Sequence, residues 1–133
     1  MEDKSWIFVL THGQAGAYLV KSAEMIMGPL KNLAVFSLLP GMSPEEFMVS
    51  VKEKLDEIKG GEVLFITDLY GGTPFNVSMA LSKQYPIQLV CGLNLSMLVE
   101  GDLLRENLTG EKLAEAVCKV GITACCVAQK VNL

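Results

Sequence analysis

The chain has 133 residues, a formal net charge of −4 and 50% apolar residues, which fits one domain with one real core. A single arginine, Arg105, and 11 basic against 15 acidic residues exclude a nucleic-acid binder, which needs a basic footprint. No uncharged run reads as an apolar span of about 20 residues. The longest, 84–99, contains proline, glutamine, asparagine and serine, and the start MEDKSWIFVL is no signal peptide, so a cytoplasmic chain is expected.

Trp6–Leu10 is a short apolar run rich in β-formers and reads as the first strand. The chain's one histidine, His12, follows it on a glycine-flanked turn. From Gln14 the period changes: Gly16, Leu19/Val20, Ala23 and Ile26/Met27 recur at helical spacing, and Gly28-Pro29 stops the helix. Leu33–Leu38 is the second strand. Ser43-Pro44-Glu45-Glu46 is a helix start, with a serine cap, proline at the first position and glutamate closing a capping box. Phe47, Val51, Leu55 and Ile58 form its apolar stripe, and Gly60-Gly61 ends it.

Glu62–Thr67 is the third strand, apolar enough to be covered on both faces, with Asp68 at its carboxyl end. Gly71-Gly72 turns the chain, and Thr73-Pro74 opens a helix by cap-plus-proline logic. Ile87–Cys91 is the fourth strand, and a helix follows near Leu95–Glu100. Thr109 caps a last helix with the stripe Leu113, Ala116/Val117, Val120 and Ala124. The tail, Cys125–Leu133, either extends that helix or forms a short antiparallel edge strand. The four cysteines lack a C-x-x-C pair and read as buried thiols acting as small hydrophobes. With one histidine, no metal-ligand spacing exists, and no metal or other cofactor is expected.

Strands alternating with helices imply a single α/β domain over 1–133, with a doubly wound, mostly parallel sheet and helices on both faces. For strand order 2-1-3-4 the order reverses between strands one and three, where such folds carry their active crevice. His12 and Asp68 would then face each other across it. A carboxylate that accepts one ring N–H fixes the tautomer of the imidazole and leaves the other nitrogen as a nucleophile. Gly71, Gly72 and Thr73 at a helix N-terminus would cradle an anion, and the helix after Gly13 offers a second cradle. These parts suit phosphoryl transfer through a phosphohistidine, which needs positioning and charge stabilisation more than bond chemistry. No G-x-x-x-x-G-K-[ST] loop is present, so the phosphoryl group would arrive ready-made rather than from ATP. Between Asp68 and Glu100 the only charge is Lys83. Tyr70, Phe75 and Met97 in this segment, with Met25 upstream, are candidates for an apolar partner surface.

T-H-G at 11–13, A-E-M-I-M-G at 23–28, P-G at 40–41, F-I-T-D-L-Y-G-G-T-P-F-N at 65–76 and G-L-N-L-S-M-L-V-E at 92–100 resemble, in order and spacing, the enzyme IIA domain of the mannose family of the bacterial sugar phosphotransferase system. The likeness covers roughly residues 5–105. It implies that His12 accepts a phosphoryl group on Nε2 from phospho-HPr and passes it to a histidine of a IIB component. The membrane components IIC and IID would be served indirectly. It implies that Asp68 holds Nδ1–H and that Thr73 assists the phosphate. It also implies a homodimer exchanging a C-terminal strand, which would give 125–131 a place to go. The chain carries Tyr70 where mannose-specific members have tryptophan and Ser96 where they have proline, so the sugar stays open. The IIB partner is expected as a separate protein. The alternative is a regulatory phosphoacceptor domain of the same fold, of a transcription regulator or a dihydroxyacetone kinase, uncoupled from transport.

Overall fold

The computed structural model describes residues 4–58 and 60–131. Four strands, β1 (Trp6–His12), β2 (Leu33–Leu38), β3 (Val63–Thr67) and β4 (Ile87–Cys91), form a parallel sheet in the order β2-β1-β3-β4. Five α-helices cover it: α1 (Ala15–Met27), α2 (Pro44–Glu57), α3 (Gly72–Leu81), α4 (Leu95–Leu104) and α5 (Gly110–Thr123). The expected order and the switch point between β1 and β3 are both present.

The two-residue period of the strands divides the core. Ile7, Val9, Leu64, Ile66 and Val90 pack with Val20 and Ala23 of α1, Met97 and Leu98 of α4, and Leu113 and Val117 of α5. Phe8, Leu10, Val63, Phe65 and Ile87 pack with Phe47, Val51 and Leu55 of α2, and Val77 and Leu81 of α3. Phe8 stacks on Phe65 with ring centroids 5.0 Å apart at the centre of that second layer. Each layer contains several fully buried side chains of the Leu, Ile or Phe class, each contributing about 1.5–3 kcal/mol of apolar burial.

The start of α2 carries the full capping box: Glu46 N–H donates to Ser43 Oγ, and Ser43 N–H donates to the Glu46 carboxylate. The Ser43 N–H, and then its hydroxyl, hold the Glu46 carboxyl below its ordinary value. α3 starts two residues earlier than expected. Gly71 is its cap residue and Thr73 lies inside the first turn, with no side-chain cap. α4 runs on to Leu104, past Gly101 and the acidic pair around it, because Gly101 is buried against Val117 and Arg105 closes the end. On α5 the buried stripe is Leu113, Ala114, Val117 and Gly121, with Ala124 exposed.

Arg105 is buried although charged. Its guanidinium donates to Asp102 Oδ1 and to the carbonyls of Ser5, Lys31 and Asn32, joining the C-terminus of α4 to the starts of β1 and β2. Arg105→Ala would remove this partner from the Ser5 and Lys31 carbonyls and leave Asp102 with Lys4 alone, 3.7 Å away, while Asn32 O keeps the Ile7 N–H. It is expected to cost about 3–5 kcal/mol, read as a lower urea midpoint, with the fold otherwise two-state.

The tail corrects two expectations. Residues Ala128–Lys130 form one 3-10 turn, residues 124–131 are exposed, and the described part of the tail adds no strand to the sheet. Residues 132–133 of the ambiguous segment lie outside the described residues. The cysteines are not uniformly buried: Cys118, Cys125 and Cys126 are exposed and Cys91 is half-buried. Cys118 lies off the buried stripe of α5, and the other two sit in the unpacked tail.

Candidate functional site

β1 runs through to His12 rather than stopping at Leu10, and this extension aims the imidazole. Alternation along β1 puts Thr11 on the α1 side with Ile7 and Val9, and His12 on the α3 side with Phe8 and Leu10. Asp68 follows the last residue of β3, the strand next to β1. Asp68 Oδ2 accepts twice from His12: from the backbone N–H at 2.9 Å and from the ring at Nδ1, 3.0 Å away. A carboxylate only accepts, so Nδ1 carries a proton, and in the neutral ring Nε2 then keeps its lone pair.

The free nitrogen has a defined neighbour. A Cβ on Gly72 would stand 3.1 Å from both Cε1 and Nε2 of His12, so the ring edge lies directly over the first residue of α3. Gly71 and Gly72 both have positive φ, +91° and +82°. The first N–H groups of a helix have no intrahelical acceptor. Pro74 has none to offer, which leaves those of Gly71, Gly72 and Thr73. Among the described residues no backbone carbonyl or side chain accepts from these three. α3 also has no acidic residue in its first turn to occupy the positive end of its dipole. The His12 side chain is 45% exposed and that of Asp68 25%. The ring therefore meets solvent while the carboxylate stays half-buried. Asp68 Oδ1 is buried without a partner among the described residues, so a positive charge on the ring would face a poorly solvated carboxylate.

Gly13 does not join this cradle. Its N–H is committed to Leu38 O at 2.8 Å, and the N–H of Gly16 in the first turn of α1 is committed to Thr11 Oγ1. The start of α1 thus loses these two N–H groups, while those of Gln14, Ala15 and Ala17 have no acceptor among the described residues, and Gly13 serves the turn through its φ of +58°. The apolar surface also divides. Tyr70 is 80% exposed beside the site and leans on Phe75, centroids 4.7 Å apart. Met97 is 3% exposed, filling the notch left by Gly121 of α5, and cannot touch a partner. Met25 is 88% exposed, yet it stands ten residues along α1 from Ala15, about 15 Å away along the axis. A surface cleft of about 590 Å³ lies by Lys4, Trp6 and Glu62 at the opposite end of the strands. It contains none of this chemistry. Among the described residues no group of three His, Cys, Asp or Glu side chains could hold a metal ion.

Thr11 escaped the reading of the sequence, although it precedes the histidine. A buried threonine at a strand end looks like any other β-former. Thr67, just before Asp68, repeats the pattern: it too is buried, and its hydroxyl lies 3.4 Å from the carbonyl two residues on. The paired letters T-H and T-D were the available signal.

The family described as "PTS system fructose IIA component" matches residues 6–118, which include β1, the His12 turn, Asp68 and the whole α3 cradle. The chain belongs to this family. One relative is the mannose-specific EIIAB component of the phosphotransferase system of Escherichia coli (strain K12), 35% identical over 106 residues. The match takes in 76% of this chain and 32% of that protein, so the chain spans about a third of the length of that relative. The fructose-specific EIIA component of Bacillus subtilis (strain 168) is 30% identical over 104 residues, 77% of this chain and 71% of that one. The crystal structure of phosphotransferase system component EIIA from Streptococcus agalactiae superposes with a TM-score of 0.88 at 32% identity, covering 95% of this chain and 98% of that one. The matched span takes in all four strands and the joined D-L-Y-G-G-T-P-F-N segment.

Proposed function

We propose that the chain is a phosphocarrier of a sugar phosphotransferase system, taking a phosphoryl group from phospho-HPr onto Nε2 of His12 and delivering it to a histidine of a IIB component. One observation carries the proposal: His12 is tied to Asp68 through Nδ1 while Nε2 overhangs the N-terminus of α3. The lone pair of Nε2 forms the new N–P bond as the donor's bond to phosphorus breaks and its electron pair returns to the donor. The ring becomes cationic, and Asp68 stabilises it through the charged hydrogen bond at Nδ1. The phosphoryl oxygens take the N–H groups of Gly71, Gly72 and Thr73 and the Thr73 hydroxyl. Delivery reverses these steps toward IIB, which couples the chain to uptake through IIC and IID. Family membership supports this reading, and so does the half-exposed ring, which a partner protein can reach. Among the described residues no helix is long and apolar enough to cross a membrane, in keeping with a role in the cytoplasm beside the transporter. The exposed Val127 and Val131 of the tail support assembly as a homodimer.

The test is reconstitution with enzyme I, HPr and labelled phosphoenolpyruvate, followed by addition of a mannose-family IIB. The expected result is an alkali-stable, acid-labile label on the chain that passes on to IIB, and none on His12→Ala. A label surviving in that variant would remove His12 from the mechanism. A label that forms and never moves to IIB would favour a regulatory phosphoacceptor.

A further inference from the structure

We propose that Thr11 is a positioning residue for His12, its hydroxyl locking the backbone turn that aims the imidazole; the proposal rests on His12 being the phosphoryl acceptor. Thr11 lies on the opposite face of β1 from His12 and acts only through the backbone. Its side chain is fully buried. The hydroxyl accepts from Gly16 N–H at 2.9 Å and donates to Gly13 O at 3.2 Å. A hydroxyl has one donor, and here both of its roles are in use.

Two local features make this bridge. Gly16 has no room for a side chain, since a Cβ there would stand 2.8 Å from Val9 Cγ1 and 3.0 Å from Thr11 Cγ2. The first turn of α1 therefore rests on the strand, bringing the Gly16 N–H to the hydroxyl. Gly13, at φ +58°, turns its carbonyl back toward Thr11 while its N–H bonds to Leu38 O. Both backbone polar groups of Gly13 are thus engaged. His12 N–H is engaged as well, by Asp68 Oδ2. With residues 11–13 fixed, the ring has only its two side-chain torsions left, and the Nδ1 bond to the same Asp68 oxygen holds those. Asp68 can receive the backbone and ring N–H groups on one oxygen only while the turn keeps this shape. Apart from Asp68, Thr11 is the one side chain that contributes to the lock among the described residues.

The test compares Thr11→Val, isosteric and without the hydroxyl, with Thr11→Ser, which keeps it. Three quantities are read: the urea midpoint, kcat and KM for phospho-HPr, and the ¹⁵N signals of the His12 ring. For Thr11→Val, kcat is expected to fall about tenfold or more with KM little changed, because a small misplacement of the nucleophile is costly. Its ring signals should move from the Nδ1–H tautomer toward a mixture. Thr11→Ser should keep the wild-type kcat and tautomer even if it is less stable. Two outcomes would overturn the proposal. In one, Thr11→Val folds with wild-type kcat and tautomer, or loses only stability. In the other, Thr11→Ser loses kcat and tautomer, which would assign the effect to the methyl group. Should the valine variant not fold, Thr11→Cys replaces it, with the same expected direction, since a thiol bonds far more weakly. Wild-type protein that takes no label fails the phosphocarrier reading itself. The tautomer comparison, which needs no donor, then still decides whether Thr11 sets the ring.

Discussion

Gly72→Ala is expected to lower the rate of phosphoryl uptake by about tenfold or more, because the added Cβ makes the His12 ring give by a few tenths of an ångström and the rate is steep in the placement of a nucleophile. The added Cβ would stand 3.1 Å from His12 Nε2, on the side from which a phosphoryl group must come to meet the α3 amides. Either the ring shifts slightly, loosening the alignment at Nδ1, or the turn shifts and moves the Gly72 and Thr73 N–H groups. Backbone strain at φ +82° adds roughly 1–3 kcal/mol to the cost. Gly71→Ala separates the two effects. Gly71 has a similar φ of +91°, but a Cβ there meets nothing within 4 Å. Both variants should lower the urea midpoint by similar amounts, and only Gly72→Ala should fall so far in rate. Equal rates for the two, measured by rapid quench with phospho-HPr, would show that Nε2 does not need the space over Gly72.

Asp68→Asn is the second large effect. The carboxylate oxygen accepts both the His12 backbone N–H and Nδ1–H, so an amide oxygen of the same shape can hold the ring in place. What disappears is the negative charge opposite a ring that becomes cationic as the N–P bond forms. A hydrogen bond to a charged group is worth about 1.5–3 kcal/mol. The expected loss in kcat is therefore roughly ten- to a hundredfold, at about 1.4 kcal/mol per factor of ten. The fold should persist, because the site lies at the rim of the sheet and both core layers are elsewhere. Asp68→Ala should lose more, since the His12 backbone N–H also loses its acceptor. An unchanged rate in Asp68→Asn would reduce the carboxylate to a structural anchor.

Much of this site was legible because topology does the long-range work. Apolar runs and caps define the four strands, and the strand order then brings residue 12 to residue 68 across 56 positions of sequence. The capping box at Ser43 was legible because all of its parts lie within four residues. What was not legible depends on distant partners. Met97 sits in a segment apolar on all sides, so periodicity assigns it no face, and the notch that receives it is made by Gly121, 24 residues later. Whether the Gly13 N–H is free depends on the carbonyl of Leu38 at the end of another strand. Thr73 looked like a helix cap because threonine before proline usually is one. Here Gly71 and Gly72 provide the turn, and α3 begins beneath the histidine without a side-chain cap. The described part of the tail adds no strand, since none of its residues pairs with the sheet.

The most direct test of the account is the identity of the nitrogen that carries phosphorus. Uniformly ¹⁵N-labelled protein, phosphorylated through enzyme I and HPr, would be examined by ³¹P and ¹⁵N resonance for one-bond coupling between phosphorus and a ring nitrogen of His12. The account predicts phosphorus on Nε2, with Nδ1 still protonated and bonded to Asp68. Phosphorus on Nδ1 would contradict it, because that nitrogen is the one the carboxylate holds.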